Sequence, residues 1–181
     1  YQTLLKEYPN SNCAAKASLE LGMAYRTQKD YEHAIEAFKN TITAYTSSEE
    51  AYSALEGLEQ IYVETNNINE YIAYTKQLTH INMHQVSSED SLVYVTAELQ
   101  YMLGNHQQAA AGFTTYLTSF CPGGRYCTNA TYYAANSFYQ LKQFEEAIAQ
   151  YSALADIQGN PYIEEACMRV AELSYDKQEY R

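Results

Sequence analysis

Blocks of this chain recur at an interval of about 37 residues, which constrains its fold more than any other feature. KEYPNSNCAAKASLELGMAY aligns with TAYTSSEEAYSALEGLEQIY. Tyr8 then pairs with Tyr45, Ser11 with Ser48, Ala17 with Ala54, Leu21 with Leu58 and Tyr25 with Tyr62, each 37 residues apart. GNHQQAAAGFTTYLTSF matches both KDYEHAIEAFKNTITAY and KQFEEAIAQYSALADI. In that register Ala34, Ala109 and Ala147 correspond, as do Phe38, Phe113 and Tyr151. EEACMRVAELSYDKQEY repeats NATYYAANSFYQLKQF. A period of this size belongs to stacked-repeat proteins, where each unit buries its apolar face only against its neighbours.

The repeats read as helical. The 181 residues include only 7 Gly and 3 Pro, too few turn-formers for an all-β chain. Hydrophobic residues at 46% and charged residues at 18% describe a globular protein. No apolar run approaches the roughly 18 residues of a transmembrane span. The net charge of −11 argues against nucleic acid or an anionic membrane as partner, because phosphate binding needs clustered Lys and Arg. Twenty Tyr and no Trp serve either helix packing or a surface that recognises partners.

These residues resemble the tetratricopeptide repeat family, whose unit is a pair of antiparallel helices, A and B. Helix A carries Leu-Gly and Tyr; helix B carries Ala and an aromatic, and a Pro often closes the unit. Leu21, Gly22, Tyr25, Ala34 and Phe38 match in the first complete repeat. Ala97, Ala109 and Phe113 match in the third, and Ala135, Ala147 and Tyr151 in the fourth. Small residues let two helices approach closely, and an aromatic fills the gap to the next. The resemblance covers essentially the whole chain and implies an all-α, right-handed α-solenoid of antiparallel helix pairs. The chain departs from the pattern in the second repeat, where Glu59 and Tyr71 replace small residues; that pair is expected to pack more loosely or at a changed angle. Thr46 stands where Pro9 closes the preceding unit.

About ten helices are expected in one array. Residues 1–11 form helix B of a truncated repeat, 12–48 repeat 1, 49–86 degenerate repeat 2, 87–124 repeat 3, 125–159 repeat 4, and 160–181 helix A of a truncated repeat 5. Asp30 is placed to cap a helix starting near Tyr31. Asn160-Pro161 reads as a cap followed by a first helical residue, and Ser87 to Asp90 as a capping-box start. CPGGRYC is the clearest loop. YQTLLKEYPNS aligns with FKNTITAYTSS, so the chain reads as a window on a longer array with fraying ends.

The long repeat, AxxxLGxxYxxxxDYxxAIxxFxxxIxxY, is similar to the bacterial cell-envelope branch of the family. That branch includes outer-membrane assembly lipoproteins and Tol-Pal-associated periplasmic proteins. The resemblance implies a protein-binding scaffold in the periplasm or at the outer membrane, with a cytoplasmic setting as the alternative. It implies no catalysis and no cofactor. A regulatory or structural segment of a larger enzyme or signalling protein is the other reading.

In this family helix A lines the inner groove. Aligning the A helices puts Tyr101, Tyr139 and Tyr175 at one position, Glu98, Asn136 and Glu172 three residues earlier, and Tyr94, Tyr132 and Met168 a turn before that. Spacings of i, i+4 and i+7 place each set on one helix face. The expected site is therefore Tyr94, Glu98, Tyr101, Tyr132, Asn136, Tyr139, Glu172 and Tyr175, a tyrosine stripe flanked by carboxylates and an amide. It suits an extended peptide or a partner helix. Packing between neighbouring repeats is the competing role for the same rings. The carboxylate-clamp groove of some family members needs Lys, Arg and Asn. Here Glu56, Glu64, Glu98 and Glu172 dominate, with Lys16, Arg26 and Arg169 scattered, so a neutral or basic partner is favoured over an acidic tail.

His80 and His84 stand i, i+4, a spacing that can bind zinc, but no third ligand is evident and no metal site is assigned. Cys121 and Cys127 flank the Gly-rich loop. A bridge there would fit an oxidising compartment; four free thiols, with Cys13 and Cys167, is the alternative. Asn129 to Thr131 fits a glycosylation sequon but falls early in an expected helix, and is read as chance. No nucleophile elbow, phosphate loop or acid–base pair stands in a defined context.

Overall fold

The computed structural model describes residues 1–8, 11, 13–46, 48–78, 87–157 and 159–179. Pro9, His80 and His84 lie outside them. Among the described residues there are ten α-helices and no strand, as expected for the all-α solenoid. They are α1 (Gln2–Glu7), α2 (Ala14–Thr27), α3 (Tyr31–Ala44), α4 (Glu49–Glu64), α5 (Ile68–Thr75), α6 (Glu89–Met102), α7 (His106–Phe120), α8 (Cys127–Gln140), α9 (Phe144–Ala155) and α10 (Ile163–Glu179). They fall into two compact units, Tyr1–Ser87 and Ser88–Arg181.

In the first unit α2 to α4 pack through one aromatic ring. α3 buries Ala34, Ala37, Phe38, Thr41 and Ile42 at helical spacing and turns Glu32, His33 and Glu36 to solvent. The Phe38 ring is held between two glycines. A methyl group on Gly22 of α2 would lie 2.6 Å from it, and one on Gly57 of α4 would lie 2.7 Å away. Beside it the hydroxyls of Ser18 and Thr41 share a buried hydrogen bond of 2.7 Å, which satisfies both where neither meets water.

Four inter-helix turns share one device. Lys29, Asn66, Gly104 and Lys142 all have positive φ, between 57° and 77°. Each amide donates three residues back, and the next amide donates five back: Asp30 to Tyr25, Asn67 to Tyr62, Asn105 to Gln100, and Gln143 to Phe138. This is the Schellman termination, which satisfies the last carbonyls of a helix and reverses the chain at once. It joins α2 to α3, α4 to α5, α6 to α7 and α8 to α9.

In the second unit α6, α8 and α10 form one layer and α7 and α9 another. Gly112 allows α7 close to α6, since a methyl there would sit 2.8 Å from the Ala97 methyl. Ala135, Ala147, Tyr151, Leu154, Ala166 and Leu173 make the core of α8 to α10. A disulfide joins Cys121 to Cys127 across the loop before α8, with Cα atoms 5.8 Å apart. The Tyr126 amide donates to the Tyr116 hydroxyl across the same loop. Cys13 and Cys167 are free and exposed.

Two helix starts differ from expectation. Asn160 accepts from the Tyr162 amide and donates to the carbonyls of Leu154 and Ile157, so it knits the loop together. Pro161 therefore stays in a turn and α10 begins at Ile163. Ser88 stands at the N-cap of α6, but its hydroxyl donates to Asp90 rather than accepting from a backbone amide. Asp30 does cap α3, accepting from the His33 amide.

Candidate functional site

The expected site residues all lie in the second unit, on α6, α8 and α10. Their roles divide by depth. Tyr94 is buried, 4% exposed. Its ring stacks on Tyr126 with centroids 4.4 Å apart and planes 12° apart. It also meets Phe113 and Tyr116, and its hydroxyl donates to Glu98 at 2.8 Å. Burial, reinforced by the Glu98 carboxylate, holds the Tyr94 phenol well above its ordinary pKa, so it stays a donor. Tyr94 is packing, with its polar end fixing Glu98.

Tyr101, Tyr132, Asn136 and Tyr139 are half-buried. Tyr101 contacts Tyr133 on α8, with centroids 5.0 Å apart, and meets His106 edge-on. Tyr132 stacks on Tyr162 at 3.9 Å and 10°, and donates to Glu165 of α10 at 2.9 Å. Asn136 accepts from the Tyr151 hydroxyl, which carries a polar contact from the buried core of α9 to the face of α8. Tyr139 carries the Arg169 guanidinium 5.0 Å from its ring centroid. Arg169 also pairs with Glu172 at 3.1 Å. Glu172 and Tyr175 are exposed, as is Met168.

The stripe is therefore stitched across helices rather than stacked as like on like. Tyr94 and Tyr132 do not stack on one another. Each stacks on a tyrosine just before the following A helix, Tyr126 or Tyr162. Those partners, with Tyr133, Glu165 and Arg169, are the residues that alignment by A-helix position left out. Tyr126 and Tyr162 stand 36 residues apart, which is the signal that finds them. Two tyrosines of the face, Tyr101 and Tyr132, resist ionisation. Burial raises Tyr101 and Tyr132, and the Glu165 carboxylate adds to both shifts. The face thus presents protonated phenols and a majority of negative charge: Glu98, Glu165 and Glu172 against Arg169.

Among the described residues no group of three His, Cys, Asp or Glu side chains gathers to hold a metal ion. No described helix is long and apolar enough to cross a membrane.

A tetratricopeptide repeat model matches residues 1–57 and 94–161. A solved structure titled "Crystal structure of MamA protein" is similar at 17% identity, covering 93% of this chain and 85% of that one, with a TM-score of 0.45. No curated protein matches the chain. Two helix layers, small residues at helix crossings, aromatics filling the gaps and a family model spanning more than half the sequence lead to one conclusion: the chain belongs to the tetratricopeptide repeat family.

Proposed function

We propose that this chain is a non-catalytic scaffold that docks a neutral or basic polypeptide on the tyrosine-bearing face of α6, α8 and α10. Tetratricopeptide repeats generally mediate protein–protein interaction. The observation that carries the reading is the set of half-exposed phenols fixed from behind. Tyr132 is clamped by Tyr162 and Glu165, and Tyr139 by Arg169. A ring already held in place gives contact area with little loss of rotamer freedom on binding. Net negative charge on the face favours a neutral or basic ligand and disfavours an acidic one. An extended peptide or a partner helix both fit a stripe of this kind. Nucleic acid and membrane insertion have no place in the reading.

The setting we propose is the bacterial envelope, periplasmic or associated with the outer membrane. The Cys121–Cys127 bridge supports an oxidising compartment. Assembly of envelope complexes is the role that fits both.

Selection of peptides from a randomised displayed library tests the docking reading. Enriched sequences should carry neutral or basic residues and bind at least tenfold more weakly to Tyr139→Ala, whose melting temperature should stay close to that of the parent. Enrichment of acidic sequences, or binding indifferent to Tyr101→Ala and Tyr139→Ala alike, would overturn it.

A further inference from the structure

The first unit contains an open-mouthed cavity of about 500 Å³ along α4 and against Tyr71 of α5, with the exposed Glu49 and Glu56 in its lining. It forms where the second repeat departs from its family's pattern. Glu59 and Tyr71 take the positions that the first repeat fills with Gly22 and Ala34, both buried. Tyr71 is fully buried and donates its hydroxyl to Glu59 Oε2 at 3.2 Å. Ser87 donates to the other oxygen, Oε1, at 3.0 Å. Glu59 is thereby oriented and held on the wall.

Glu49 and Glu56 complete the acidic lining, on the same face of α4. Neither makes a hydrogen bond or an ion pair among the described residues. Tyr52 supplies the accessible apolar wall, with Leu55 and Tyr71 buried behind it. Among the described residues no Lys or Arg lines the space. The negative field converges on its floor: burial first, then the charges of Glu59 and Glu56, hold the Tyr71 phenol far above its ordinary pKa. The carboxylates do not gather closely enough to hold a metal ion. The arrangement matches a longer organic cation, with an apolar wall for the methylene stem and several carboxylates for the charged head.

We infer that this cavity receives the side chain of a Lys or Arg projecting from a partner polypeptide, as a second anchoring point apart from the tyrosine face. The inference rests on the reading of the chain as a protein-binding scaffold. Its size admits one basic side chain with its flanking backbone. Its charge selects that side chain over a neutral one of like length.

The test is a titration of the whole chain followed by backbone amide NMR shifts. The probes are the blocked pentapeptide Ala-Ala-Arg-Ala-Ala, its Gln counterpart, and spermidine. The Arg peptide should shift amides of residues 49–71 saturably, and the Gln peptide should not. The double variant Glu49→Gln, Glu56→Gln removes two carboxylates that make no side-chain hydrogen bond among the described residues, and should weaken binding at least tenfold. Tyr139→Ala should leave this site unchanged. Equal binding of the Gln peptide, or of the double variant, would sink the inference. So would spermidine binding as tightly as the peptide, which would mark a site for free cations. Shifts confined to α6, α8 and α10 and lost in Tyr139→Ala would defeat the cavity while leaving the docking face standing; shifts confined to residues 49–71 would do the reverse.

Discussion

The ring of Phe38 lies so close to Gly22 that a methyl group on that glycine would sit 2.6 Å away. Because Gly57 approaches the Cζ end of the same ring, 2.7 Å from a methyl placed on it, Phe38 has little room to slide aside. Gly22→Ala gains roughly 1 kcal/mol of helix propensity. Overpacking a filled core costs about 1–3 kcal/mol, so the net effect should be destabilising. Gly57→Ala should behave alike. Gly123→Ala meets only the Phe120 carbonyl at 3.9 Å and should be close to neutral. Urea denaturation followed by circular dichroism checks the series; a neutral Gly22→Ala would show that the ring has room to move.

Lys29 and Lys142 occupy left-handed turn positions, each with φ of 59°, that Gly104 occupies in the third repeat. A side chain with a Cβ pays about 1 kcal/mol in that region. Lys29→Gly and Lys142→Gly should therefore each stabilise the chain by up to about 1 kcal/mol, less the extra freedom glycine gains when unfolded. Gly104→Ala should destabilise through backbone strain alone, as nothing lies within 4 Å of the added methyl. Thermal melts of the three variants decide this.

Asp30 and His33 form the charged cap of α3, with His33 Nδ1 2.8 Å from Asp30 Oδ2. The hydrogen bond to Asp30 raises the His33 pKa above 6.5, and the hydrogen bond from His33 lowers Asp30 below 3.8. The sign differs for the two groups. The His33 contribution is complete below pH 6.5 and is lost as pH rises through its raised pKa. The Asp30 contribution is complete above pH 3.8 and is lost as pH falls through its lowered pKa. The cap is thus strongest between those values. An NMR titration should place His33 above 6.5, and Asp30→Asn should bring it back towards 6.5. An unmoved His33 in that variant would refute the pairing.

The repeat and its all-helical fold were legible because side-chain size and period are properties of sequence. Ala34, Phe38, Ala109, Phe113, Ala147 and Tyr151 are all fully buried, as the alignment requires. Partner choice was less legible. That Tyr132 stacks on Tyr162 rather than along its own stripe depends on how α8 and α10 cross, which no local pattern encodes. Three of the four turn residues are not glycine, so the Schellman turns escape a search for glycine. Pro161 looked like a helix start because Asn160 precedes it, but Asn160 spends both donor and acceptor on the loop. The cavity was legible only as a departure: Glu59 and Tyr71 stood out, while the hydrogen bond joining them needed the fold.

The bridge between Cys121 and Cys127 closes a short loop, with a sequence separation of 6. In the chain-entropy view a loop of that size contributes about 2 kcal/mol. Cys121→Ser with Cys127→Ser should therefore lower stability by about that amount under oxidising conditions and by nothing further when reductant is added. Equal melting temperatures for the parent with and without reductant would show that the bridge carries no stability.

The eight expected site tyrosines, carboxylates and amide can be sorted by one mutational series, because packing and binding roles predict opposite profiles. Tyr94 is 4% exposed and held by Tyr126, Phe113 and Tyr116. Tyr94→Ala should cost about 3–5 kcal/mol, as for any large buried aromatic. Tyr175 is 62% exposed, and Tyr175→Ala should stay within about 0.5 kcal/mol. Tyr139 lies between: half-buried, with one ring face under Arg169. Its removal forfeits a cation–π contact of about 0.5–1 kcal/mol and part of a packing surface. A docking face needs Tyr139→Ala to lose far more in peptide affinity than in stability. If instead Tyr139→Ala destabilises the fold as much as Tyr94→Ala, the half-exposed ring is a strut between α8 and α10, and the docking surface must be sought elsewhere. Denaturation and peptide titration on the same three proteins give both numbers for each.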